Sequence, residues 1–187
     1  MDIEEKYLSE FSDRLEIELH KLCQSFGLAG ARLLDNDDIT MKVPEDLAKD
    51  YFSDAVKEFA KYPEVSLAWA GYLGMAVACR WDGNWQAHKN DRYQDYYGAR
   101  GYDDMDEHIT RDILGYALDS EKAQAIGGTL GKCATLALSL IRREGFESQS
   151  IEAYYVLIRC VKVMFQIGAS MELFGLGYKL ERIKPVS

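Results

Sequence analysis

The sequence predicts an all-α fold, a single-domain helical bundle of about seven helices spanning residues 1–187. Three observations carry that expectation. Apolar residues recur at three- and four-residue spacing through most of the chain, the period of a helix face. Only three prolines occur, at 44, 63 and 185, so little interrupts helices from within. Three segments, 65–80, 121–143 and 150–174, are apolar enough to form the interior of a bundle. A chain of 187 residues with 48% apolar and 28% charged residues can bury a core without a disulfide or metal staple.

Taken in order, Leu8, Phe11, Leu15, Leu19, Leu22 and Phe26 form a first helical stripe, and Gly27 follows as a C-terminal stop. The period then changes. Residues 31–43 flank the turn-rich Asp35-Asn36-Asp37-Asp38 and read equally as a short hairpin or a loop. Pro44 suits a first helical turn, and Leu47, Tyr51, Phe52, Ala55 and Phe59 line one face of the helix it opens. Pro63 is expected to close that helix. In 65–80, Ala70, Gly74 and Ala78 leave a strip of small residues where another helix can approach.

Asp82-Gly83 marks a turn, after which Asn84 can cap a helix over 85–97 that stops at Gly98 and Gly101. Asp103 or Asp104 is expected to cap the next helix, with an acid three positions on as in a capping box, running to about Leu118. Ser120 caps 121–143, where Gly127, Gly131 and Thr135 form a second small-residue strip expected to be a helix contact. Ser148 or Ser150 opens the last long helix.

Composition narrows function mainly by exclusion. The net charge of −9 is uneven: residues 1–64 carry 16 acids against 8 bases, residues 65–120 carry 9 against 5, and residues 121–187 carry 6 against 9. An acidic chain lacks the footprint of a nucleic-acid binder, and the reversal suits either packing of the two ends or a charge-complementary oligomer. Apolar runs are too short, or too interrupted by Lys132, Arg159 and Lys162, for the about 20 residues that span a bilayer, so no membrane partner is expected. The acidic start MDIEEKYLSEF is unlike a secretory or transit leader, and the four scattered cysteines suit a reducing compartment. Together these point to the cytoplasm.

No motif names a reaction. Cys23, Cys79, Cys133 and Cys160 make no CxxC pair, and the glycines at 127, 128 and 131 lack the spacing of a phosphate loop. The acidic runs 4–18 and 46–58 lack a calcium-loop pattern and read as solvated surface. No metal and no cofactor is therefore expected. The segment richest in recognition chemistry is 80–112, with Trp81, Trp85, Tyr96 and Tyr97 set among Arg92, Arg100 and His88. Aromatic bodies beside cationic tips suit a flat ligand or a protein partner, although packing against the bundle uses the same residues. Asp104, His108 and Asp112 share a helix face at four-residue spacing, where a histidine between carboxylates can act as a base or a ligand. The expectation is a non-enzymatic interaction or ligand-binding protein that self-associates, binds a protein partner or takes a small molecule. The alternative is a small enzyme or metal binder using the His/Asp/Arg and aromatic cluster of 80–112.

Overall fold

The computed structural model describes residues 5–31 and 45–178, and they are helical with no strand. The helices are α1 (Glu5–Ser25), α2 (Glu45–Phe59), α3 (Pro63–His88), the short α4 (Met105–His108), α5 (Glu121–Arg143) and α6 (Ile151–Gly175). Most of the predicted hairpin-or-loop segment 31–43 lies outside the described residues, as do Pro44 and the tail beyond Tyr178.

The two most apolar helices, α3 and α6, run in the same direction and cross at the centre with backbone against backbone, Cys79 of α3 standing beside Glu172 of α6. A Cβ on Gly74 would stand 1.9 Å from the Phe165 carbonyl oxygen, and one on Gly168 would stand 1.8 Å from that of Gly71. Only glycine permits that approach. Residues 66–67 and 70–71 of α3, with 73–78, are buried, as is most of α6 from Cys160 to Leu173. The strip Ala70, Gly74, Ala78 is thus a helix contact.

The second strip is one only at Gly127, where a Cβ would stand 2.9 Å from the Tyr72 hydroxyl of α3. On α5 the buried face is Ala123, Ile126, Leu130, Cys133, Ala134, Ala137 and Leu138, while Thr135 is exposed and a Cβ on Gly131 would meet open space. Small residues at four-residue spacing suit a close contact but do not say which face the larger apolar residues will claim.

Helix α1 buries Leu8, Phe11, Leu15, Leu19 and Cys23 against α5 and α6. Its acidic side meets bases of the C-terminal half. Arg159 pairs with Glu5, and the Gln166 amide donates to Glu16 at 3.4 Å, so α1 and α6 run parallel. Conversely, Arg14 of α1 reaches Glu144 at the end of α5 at 3.0 Å, and the Tyr7 hydroxyl donates to the same carboxylate. The N-terminal helix and the C-terminal half are thus joined by ion pairs of both polarities within one chain.

Helix boundaries follow local chemistry. Ser120 and Ser150 cap α5 and α6, each side chain accepting from the backbone N–H three residues on at 3.1 Å. Pro63 opens α3 rather than closing α2, which has already stopped at Phe59. A missing N–H costs nothing in a first turn.

Two predicted helices are corrected. Residues 85–97 do not form one: α3 continues past Asp82-Gly83, kinks at Asn84 and stops at His88, leaving only the 3-10 turn Tyr93–Tyr96. Asn84 does cap, its Oδ1 accepting from Ala87 N at 3.3 Å, but the helix it starts lasts one turn. The helix expected from Asp103 or Asp104 to Leu118 is a 3-10 turn (Tyr102–Asp104), the four residues of α4 and a π turn (Ile109–Ile113). Asp104 stands before α4 but makes no cap, because its carboxylate turns back to Arg100. Hence the described residues hold six α-helices rather than seven. No described helix is long and apolar enough to cross a membrane.

Candidate functional site

The segment between α3 and α5 divides the predicted site residues among three groups. The first gathers around Asp91. Its Oδ2 receives Arg80 at 2.8 Å, His88 Nδ1 at 2.9 Å and the Tyr96 hydroxyl at 3.4 Å. The Arg80 guanidinium also covers the Tyr96 ring, 4.4 Å from its centroid. Tyr96 is buried, and that burial is the main reason its phenol is pushed up to about 12. This group staples the end of α3 to the following turn: it is a closed network in which Arg80 and Asp91 satisfy one another.

The second group lies around α4. His108 Nδ1 meets Asp112 Oδ2 at 2.9 Å, and Arg111 closes on the same carboxylate through Nε and Nη2 at 2.9 and 3.0 Å. Arg111 first, and His108 second, hold the exposed Asp112 carboxyl down at about 2. Asp104 is not part of this face. His88 and His108 each bind their own carboxylate, and among the described residues no hydrogen bond or ion pair joins the two clusters.

The third group is a cluster of aromatic rings from α2, α3 and the 93–102 turn. Tyr93 and Tyr97 stand edge to face with centroids 4.9 Å apart, and Tyr51 of α2 meets Tyr93 at 5.4 Å. Tyr102 tilts over Trp69 of α3 at 4.6 Å and approaches Tyr51 at 6.4 Å. The Tyr97 hydroxyl donates to Asp54 of α2 at 2.7 Å. Tyr51 donates to the Ser66 carbonyl. Tyr93 is wholly buried, yet its hydroxyl has no hydrogen-bond partner among the described residues, and that of Tyr102 makes none of normal geometry. Buried hydroxyls without partners are uncommon and costly. Tyr97, Tyr102 and Asp54 are half-buried, so the cluster has a floor in Tyr51 and Tyr93 and a rim that solvent reaches.

A small loop holds the rim. Gly98 and Gly101 exchange backbone hydrogen bonds at 3.3 and 3.1 Å, and the positive φ of Gly101, 77°, turns the chain. Both oxygens of Asp104 accept from the Arg100 backbone N–H at 3.1 Å, while the Arg100 side chain extends toward Asp104 and Glu107.

The remaining predicted residues play other parts. Trp81 is half-buried beside Tyr178, their centroids 5.7 Å apart, and Trp85 is half-buried on the short helical turn after Asn84. Arg92 is exposed and contributes its backbone N–H to Asp95. Sequence reasoning missed Tyr51, Asp54 and Trp69, which lie outside the segment 80–112. One signal was present: Asp50, Asp54 and Glu58 recur every four residues beside Tyr51, and the run 46–58 was read as solvated surface, whereas Asp54 is half-buried under Tyr97. No group of three His, Cys, Asp or Glu side chains suited to a metal lies among the described residues. Comparison with protein-family models, curated proteins and solved structures finds no match to this chain.

Proposed function

We propose that this chain is a non-enzymatic helical binding protein whose recognition site is the tyrosine cluster between α2 and the 93–102 turn. The observation that carries this reading is the fully buried Tyr93 hydroxyl, left without a partner at the base of an aromatic cluster with a half-exposed rim. A packed core leaves such a group unpaired at a cost of about 1–3 kcal/mol, a penalty that a bound polar group removes. Tyr97 is the one of the four aromatics singled out in the sequence that faces this site; Tyr96 belongs to the core beneath Arg80.

Enzymatic use of the histidines has weaker support. A carboxylate-paired imidazole can serve as a general base, but it needs a reacting group within reach. The hydrogen bonds of His88 and His108 run to Asp91 and Asp112. The acidic charge balance also argues against a nucleic-acid partner. Self-association would have an apolar surface to use at the start of α6, where Ile151, Tyr154 and Tyr155 are exposed.

The test is a thermal-shift screen of the full chain against a small-molecule panel, repeated with Tyr97→Ala. Ligands that stabilise the wild type should lose their effect in the variant. Ligands that stabilise both equally would place the binding site elsewhere.

A further inference from the structure

We propose that the tyrosine cluster takes an ammonium group bearing N–H donors, held between the Tyr93 and Tyr102 hydroxyls, the ring faces and the Asp54 carboxylate. The inference rests on the binding-site reading above and names the class of ligand. Three observations converge on it.

The first is the orphaned hydroxyl. Tyr93 is 0% exposed, and its hydroxyl finds no hydrogen-bond partner among the described residues, leaving both lone pairs unused. The buried Tyr102 hydroxyl, next to Tyr51, whose proton is already committed to Ser66, offers a second oxygen. Two phenol oxygens that accept suit a ligand that donates more than once.

The second is the sign of the local field. Burial is the main cause that raises the phenols of Tyr93, Tyr97 and Tyr102. For Tyr93 the neighbouring tyrosines come next and Asp54 after them, while Asp54 with Asp50 acts on Tyr97 and Glu58 with Asp54 on Tyr102. The fixed charges that act on all three are thus carboxylates of α2. An anion entering here would meet repulsion from that ridge, whereas a cation is drawn in. Asp54 has spent one acceptor position on Tyr97 and retains others.

The third is the ring arrangement. Edge-to-face packing of Tyr93 on Tyr97 and the tilt of Tyr102 on Trp69 surround the hydroxyls with aromatic surface. Ring faces attract a cation through their quadrupole, and the attraction strengthens where water is excluded. A quaternary ammonium would satisfy the rings but leave the hydroxyls unpaired; a primary ammonium satisfies both.

The experiment is calorimetric titration of the full chain at low salt with n-butylammonium and 1,4-diammoniobutane, with tetramethylammonium and n-butyrate as controls. The two N–H donors should bind in the millimolar range or better, and butyrate should not. Tyr93→Phe removes one oxygen and keeps the ring; it should weaken ammonium binding about tenfold, as should Asp54→Asn. Circular dichroism of both variants should match the wild type. Failure of the ammonium probes to bind, equal binding of butyrate, or unchanged affinity in Tyr93→Phe would overturn the assignment. So would a crystal structure soaked with n-butylammonium that shows a buried water alone between the two hydroxyls. A neutral or anionic ligand that depends on Tyr97 would overturn the ammonium class while leaving the binding site standing; ligands indifferent to Tyr97 would remove both.

Discussion

The carbonyl oxygen of Gly71 stands 1.8 Å from where a Cβ on Gly168 would be, so α3 and α6 touch through their backbones. Gly168→Ala must push the helices apart and should cost about 1–3 kcal/mol or more by overpacking. Gly131 carries the opposite expectation: its Cβ direction is open, so Gly131→Ala should stabilise α5 by roughly 0.5–1 kcal/mol. Urea unfolding of the two variants checks both signs. Equal midpoints would contradict the crossing described here.

The four cysteines should be slow toward thiol reagents in the native state. Cys23, Cys133 and Cys160 are buried, with the first two sulfurs 3.7 Å apart across α1 and α5. Cys79 is half-buried, and burial, with Glu172 and Asp82 nearby, pushes its thiol up to about 11. At pH 8 that leaves roughly one thiolate in a thousand at this site. A colorimetric thiol assay should therefore register little reaction before denaturant is added and all 4 thiols afterwards. A fast native phase at pH 8 would show that Cys79 is more open than the structure has it.

Glu172 should make the fold less stable as pH rises from acid toward neutral. Desolvation raises its carboxyl above the ordinary range, Asp82 adds to the shift, and Lys122 and Cys79 oppose it. A raised pKa means the folded state holds the proton more tightly. The favourable contribution is complete below the unfolded value of about 4.3 and disappears as pH passes the folded value. Glu172→Gln should then unfold at higher urea than the wild type at pH 7, and the two should converge near pH 4. A variant no more stable than the wild type at pH 7 would count against a desolvated carboxylate here.

How much of this was legible in the sequence depended on what the residues report. Helical period and caps report on local structure, which is why Ser120, Ser150 and the buried face of α1 from Leu8 to Leu19 stand where their spacing puts them. Cys23 rather than Leu22 continues that face, and Phe26, past the helix end, is exposed. The crossing of α3 was readable from Ala70, Gly74 and Ala78, but its counterpart on α6 was Gly168 alone, without a repeat to mark it. Residues 85–97 failed for a different reason. Their helical spacing is genuine, yet Asp91 is engaged by Arg80 and His88, and Tyr93 and Tyr96 gain more from burial than from continuing a helix. The tyrosine site was least visible, because it joins Tyr51 and Asp54 to Tyr93, Tyr97 and Tyr102 across some 40 residues of chain. Nothing local in α2 says that its acids face aromatic rings rather than water.

The final expectation concerns Asp104, which sets the rim of that site. Its carboxylate fills the space beside Gly98: a Cβ there would lie 2.3 Å from Oδ1. Both its oxygens accept the Arg100 N–H, and the side chain is itself buried. The Gly98–Gly101 turn is thus held from within, and it is this turn that carries Tyr97 on one side and Tyr102 on the other. Asp104→Ala should leave the Arg100 N–H unpaired and cost about 1–3 kcal/mol. Asp104→Asn keeps one acceptor oxygen and should cost less. The local consequence separates this role from a merely stabilising one. Once the turn loosens, Tyr97 should lose its registry with Asp54, so near-ultraviolet dichroism from the tyrosines should fall in Asp104→Ala under conditions where far-ultraviolet dichroism shows the helices intact. A variant that loses stability yet keeps the tyrosine signal would mean that α2 and α3 position the rim without help from Asp104.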